Sequence, residues 1–310
     1  MKAYNITLLT GEEEAWLIHK VIMSGDDETL STLLASMNQI RRSRLLSHYR
    51  ALYSKKLSRE LEETLAGDYL YLCCSVVTEP CIFLIKEINT LLTEFPGPNE
   101  ELLIAFLCER SEEELAEVKK HYHKKFRKNL ELDIDCYLQP NAAKWIKLLI
   151  NRKEIDTCCD LKQVATDAQR LINLGFGVSY GNDGPVISYL IKNRCPSHLR
   201  LVFAEIRKLG KHPWERIETT MPPDNKHRLT LLLQAIDKPE QFNATMLWTI
   251  KSESGRFWKA VLAIRLSRSK KFYKKAELYF QESFHTTIKD QLKEETGGNV
   301  LLLLKKLIKF

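Results

Sequence analysis

The chain is sparing with the residues that punctuate a fold, carrying only 12 glycines and 10 prolines in 310 residues. Few segments alternate apolar and polar side chains as a half-buried strand would, so an all-helical protein is expected. The longest apolar runs, such as residues 300–304, fall far short of the roughly 20 residues that a membrane-crossing helix needs. Residues 1–14 are mixed and polar, with no basic segment leading into an apolar stretch, so no secretory signal is expected and a cytoplasmic location follows. There is no CxxC, no phosphate-binding GxxxxGK[ST] loop, no HExxH and no local serine-nucleophile motif. Catalysis is therefore not expected.

What is present points to a soluble, partner-binding module. Apolar residues make up 44% of the chain and charged residues 28%, enough to bury a sizeable core. The formal charge of +7 favours acidic partners: anionic lipid, an acidic protein surface or nucleic acid. The eight cysteines include the vicinal pairs Cys73-Cys74 and Cys158-Cys159, which cannot close ordinary disulfides within themselves. Reduced, mostly buried thiols are expected.

The chain also contains a hidden period. Met37, Arg110, Arg194 and Arg268 can be set in register at spacings of 73, 84 and 74 residues, which defines four units. Seven residues before each anchor stand Leu30, Leu103, Ile187 and Val261; four before stand Leu33, Phe106, Leu190 and Ile264. Eight residues after come Leu45, Val118, Val202 and Ala276; twelve after, Tyr49, Tyr122, Ile206 and Phe280; twenty after, Leu57, Leu130, Trp214 and Ile288. Every column is apolar, and steps of three and four place its members on single helix faces.

Each unit divides into five short helices, clearest in the second: residues 81–92, 100–109, 111–126, 130–137 and 141–150. Ser111 and Glu114 have the spacing of a capping box at the third of these. The expected organisation is a short N-terminal segment, 1–11, then repeats at 12–80, 81–150, 161–237 and 238–310, with a linker at 151–160. That linker suggests that repeats one and two pack apart from three and four. Such units cannot bury their faces alone, so one compact assembly with two halves is expected.

These features resemble the annexin family, which has four repeats of five helices and a longer connection between repeats two and three. The resemblance runs from about Glu12 to Phe310. Its most recognisable pieces are Gly25-Asp26-Asp27-Glu28-Thr29-Leu30, Gly67-Asp68-Tyr69, Leu107-Cys108-Glu109-Arg110-Ser111, Leu266-Ser267-Arg268-Ser269 and Glu295-Thr296-Gly297-Gly298. It implies a disc-like all-α core. The preserved frame with eroded calcium loops is most similar to the alpha-giardins, the protozoan branch of the family.

The resemblance implies Ca²⁺ as cofactor. Annexins hold it with the carbonyls of a Gly-x-Gly-Thr loop between the first two helices and an acidic residue about forty positions later, and Ca²⁺ takes about six to eight hard oxygen ligands. Repeat four keeps Gly255 and, forty residues on, Glu295, so the carbonyls of Lys251, Glu253 and Gly255 with Glu295 form the leading candidate. Repeat one offers Ser24 and Gly25, with Thr64 at the acidic position and Glu63 beside it. Repeat two keeps Gly97 but has Tyr137 in place of the acid. Repeat three has a glycine cluster with Gly181 and Asp183, and Thr220 or Met221 where the acid would stand.

Phe95, Tyr180 and Trp258 fall in or beside the first interhelical loops, where annexins meet the bilayer; amphipathic aromatics suit that interface. Two basic clusters, at residues 119–128 and 268–275, lie on third helices, with Lys119, Lys120, Lys124, Lys125, Lys270, Lys271, Lys274 and Lys275 as a candidate docking face. The resemblance places such helices on the concave side. The expected function is calcium-dependent binding to anionic phospholipid membranes, linking membrane and cytoskeleton. The alternative is a calcium-independent cytoskeletal adaptor using the basic face, with filaments as partner; nucleic acid fits least, since no recognised module is present. The resemblance implies a position peripheral to the plasma membrane, with flagella and cytoskeleton as further sites.

Overall fold

The computed structural model describes residues 9–93, 98–153, 160–174, 186–211, 223–249 and 270–308. These residues form eighteen helices and no strand. None of the helices is long and apolar enough to cross a membrane. The chain divides into two units, one of residues 1–83 and 247–310, the other of residues 84–246.

The first unit opens with α1 (Gly11–Ser24), α2 (Asp27–Ser36), α3 (Gln39–Tyr53), α4 (Leu57–Thr64) and α5 (Gly67–Val77). Thr10 starts α1 through a reciprocal capping box with Glu13, which satisfies two backbone donors that the first turn leaves open. The chain leaves α1 through Gly25, whose φ of +67° is a conformation glycine adopts without steric cost. After α6 (Pro80–Thr93) and the whole of the second unit, the chain returns to the first.

The second unit holds α7 (Glu100–Leu107), α8 (Glu112–Phe126), α9 (Leu130–Tyr137), α10 (Pro140–Ile150), α11 (Leu161–Leu174), α12 (Val186–Asn193), α13 (Pro196–Lys208) and α14 (Pro223–Asp237). Next comes α15 (Pro239–Thr249), and the first unit closes with α16 (Lys270–Phe284), α17 (Ile288–Glu295) and α18 (Gly298–Ile308). The expected capping box is present at α8, with the Ser111 N–H donating to Glu114 at 3.0 Å and the Glu114 N–H donating back to the Ser111 hydroxyl at 3.3 Å.

Every described member of the five apolar columns is buried, from Leu30 and Leu103 to Phe280 and Ile288. Each Val, Leu, Ile or Phe among them contributes roughly 1.5–3 kcal/mol when fully buried, so the period in the sequence is the period of the core. Val261, Ile264 and Trp214 lie outside the described residues.

The pairing of repeats differs from expectation. The first unit joins repeats one and four, where α18 packs on α2 and α5 and the Asn299 amide donates to Asp27 Oδ2 at 2.5 Å. The second joins repeats two and three: α10 packs on α12 and α14, Arg228 reaches Glu100 at 2.8 Å, and Arg200 reaches Glu109 at 3.0 Å. The longer linker marks where the chain crosses between two repeats that share a core.

The described cysteines are all free thiols, as expected, but only Cys73 and Cys108 are fully buried, and Cys136 is exposed. Burial pushes the Cys73 thiol up to about 12, which keeps it protonated and inert.

Glu277 in α16 is expected to give the first unit a pH dependence. Burial raises its carboxyl above the ordinary range, even though the Ile288 N–H donates to it at 3.2 Å and the Tyr273 hydroxyl at 3.3 Å. A carboxyl raised in the folded state binds its proton more tightly there. Its contribution is fully present below the unfolded value of about 4.3 and lost as pH rises through the folded value. Glu277→Gln is therefore expected to raise the thermal midpoint at neutral pH and to leave it unchanged near pH ~4. A gain of equal size at both pH values would contradict this.

Candidate functional site

The repeat-one loop is built by the end of α1 and the start of α2. Ser24 donates its hydroxyl to the Val21 carbonyl at 3.0 Å, and the Gly25 carbonyl accepts the Asp27 N–H at 3.1 Å. Asp26 caps α2, accepting from the Thr29 N–H at 3.0 Å and the Thr29 hydroxyl at 2.6 Å; these bonds hold its carboxyl below the usual range. Asp27 is shifted upward by burial and by the neighbouring Asp26. Its backbone carbonyl accepts from the Tyr69 hydroxyl at 2.9 Å.

Glu63, expected to stand in for the missing acid of repeat one, is bound by cations instead. Lys55 donates to it, and Arg59 lies 3.4 Å away. The Lys55 hydrogen bond chiefly lowers its carboxyl below the ordinary range. A divalent cation at Glu63 would have to displace both partners. In this structure Glu63 is thus engaged with cationic side chains on its own side of the loop. Lys55, eight residues before Glu63, is the residue the sequence reading passed over.

The fourth helices carry the comparison across repeats. α4, α9 and α17 each span eight residues. They begin at Leu57, Leu130 and Ile288, the column twenty residues after each anchor, and end at Thr64, Tyr137 and Glu295. Of these three terminal positions only Glu295 has a carboxylate. In repeat two, Tyr137 instead has the Lys128 ammonium 6.0 Å above its ring.

The remaining candidates in repeats three and four, Lys251, Glu253, Gly255, Gly181 and Asp183, lie outside the described residues, as do Phe95, Tyr180 and Trp258. Among the described residues no group of three or more His, Cys, Asp and Glu side chains is placed to hold a metal ion.

The lysine clusters belong to different units. In α8, Lys119 donates to Asn151 at 2.8 Å and Lys120 pairs with Glu117 at 3.1 Å, while Lys124 and Lys125 are exposed. In α16, Lys271, Lys274 and Lys275 are exposed; only the backbone of Lys270 is described. Their interleaved partners, Val118, Tyr122, Ala276 and Phe280, are buried, so the polar faces of both helices are genuine surface.

A model of the annexin family matches residues 94–149. Over 289 residues the chain is 24% identical to annexin A13 of Mus musculus, covering 92% of this chain and 90% of that protein. Its backbone matches annexin III with a TM-score of 0.82 at 22% identity, covering 98% of this chain and 95% of the other. The chain is thus similar to the annexins in sequence and in fold. A calcium-bound alpha-14 giardin also shares the fold, with a TM-score of 0.67 at 16% identity over 95% of this chain and 99% of that one.

Proposed function

We propose that this annexin-like protein binds anionic phospholipid surfaces peripherally and in response to calcium, with repeat four supplying the metal site. The supporting observation is the register of the fourth helices: of the three described, only α17 ends on a carboxylate, Glu295, forty residues after Gly255. The carbonyls of Lys251, Glu253 and Gly255 would complete the oxygen set. Bound calcium there offers open coordination positions to lipid phosphate. With so few carboxylates the affinity without lipid is expected to be weak, on the order of 10⁻⁴ to 10⁻³ M.

Sedimentation with phosphatidylserine vesicles tests the reading. Pelleting is expected in millimolar-range calcium and its loss in EGTA. Equal pelleting in both would overturn calcium dependence and transfer the contact to the exposed lysines of α8 and α16, the metal-free docking reading.

A further inference from the structure

In the second unit, residues of α9, α10 and α12 line an open cleft of about 660 Å³. That size suits a small ligand, since such sites commonly run from about 300 to 1,000 Å³. Three lysines line it, Lys144 and Lys147 from α10 and Lys192 from α12. Lys144 and Lys147 stand three residues apart and so share a helix face. Lys147 is held by Asp135 at 2.5 Å, and Glu131 on the rim lies 4.0 Å from Lys119. Among the described residues no carboxylate pairs with Lys144 or Lys192, so the described lining, three lysines against Glu131, carries positive charge in excess.

Helix dipoles account for part of this. Lys147 and Lys192 sit in the last turns of their helices, where a cation is favoured by the carbonyl ends. That argument does not reach Lys144, near the middle of α10, nor does it explain the floor of the cleft. Ser188, also a lining residue, is only 7% exposed, and its hydroxyl has no hydrogen-bond partner. A buried hydroxyl left without a partner costs free energy, and Ser188 lines the same cleft as Lys144 and Lys192.

We infer that this cleft is a calcium-independent binding site for a small molecule bearing several phosphate groups, held by Lys144, Lys147 and Lys192 and accepting a hydrogen bond from Ser188. Lysines act on phosphate as point charges with rotatable donors, which suits clustered phosphates of varied geometry. Asn151, another lining residue, offers an amide at the same mouth. The phosphates could belong to a free metabolite or to a lipid headgroup; the chemistry at the lysines is the same.

The test uses the full chain in EGTA, which separates it from the calcium reading. Titration calorimetry with inositol 1,4,5-trisphosphate at about 0.1 M salt is expected to show saturable one-to-one binding. The double variant Lys144→Gln/Lys192→Gln should weaken it by roughly tenfold or more, and Ser188→Ala by a few-fold, with thermal midpoints retained. Lys120→Gln/Lys124→Gln removes the same formal charge from α8 and should leave binding unchanged. A second arm uses phosphatidylcholine vesicles containing phosphatidylinositol 4,5-bisphosphate. Vesicle binding competed by the soluble trisphosphate assigns the phosphates to a lipid, and soluble binding alone assigns them to a metabolite. No binding in either arm, or an equal loss in the α8 control, overturns the proposal.

Discussion

Asp167→Ala should lower the stability of the second unit by about 3–5 kcal/mol, the usual cost of removing one partner from a buried ion pair. Asp167, on α11, is fully buried and collects four groups. Arg194 donates to Oδ2 at 2.9 Å, the His198 ring lies 3.0 Å from the same oxygen, Gln163 donates to Oδ1 at 2.9 Å, and Arg170 lies 3.5 Å away. Arg194 and His198 are themselves buried, at 6% and 2% exposure, so water cannot replace the lost carboxylate. One side chain thus ties α11 to the end of α12 and the start of α13. The thermal midpoint should fall on the order of 10 °C. Asp167→Asn, which keeps an acceptor but loses the charge, should fall by less. A midpoint unchanged in the alanine variant would show that the hub contributes nothing net.

Glu295→Gln should raise the calcium needed for half-maximal pelleting with phosphatidylserine vesicles by on the order of tenfold or more, because it removes both the charge and the bidentate oxygen pair that calcium favours. Thermal unfolding without calcium should hardly move. Glu63→Gln is the matched comparison: its carboxylate is already bound by Lys55 and Arg59, so its loss should leave the calcium requirement as it was. A larger effect at Glu63 than at Glu295 would reverse the assignment. No effect in either variant or in the double would show that both family positions have been abandoned.

The core was legible because burial repeats. Leu45, Val118, Val202 and Ala276 occur at one register position and are all buried, and the helix lengths follow from the same period. The pairing of units was not legible. Nothing local in α18 or α2 records that Asn299 meets Asp27, since a buried apolar face specifies that it must be covered and not by which repeat. The candidate site was half legible for a similar reason. A missing acid can be read from Thr64 or Tyr137, but whether Glu63 is free depends on Lys55 folding back across the α3–α4 turn, which spacing alone does not disclose. The cleft at Lys144, Lys147 and Lys192 was passed over because its third lysine comes from another repeat.

The interleaved construction of the units has a consequence for the order of events on the ribosome. The second unit is one continuous stretch, residues 84–246, complete once its last residue has emerged. The first unit draws on residues 1–83 and again on residues 247–310, so α1 to α5 are synthesised long before α16 to α18 exist to cover them. The sequence separation between α2 and α18 makes this a closure of high loop entropy and slow formation. During translation the apolar faces of α2 and α5 are therefore expected to be the surfaces most in need of protection, and the middle of the chain can complete its packing before the beginning does.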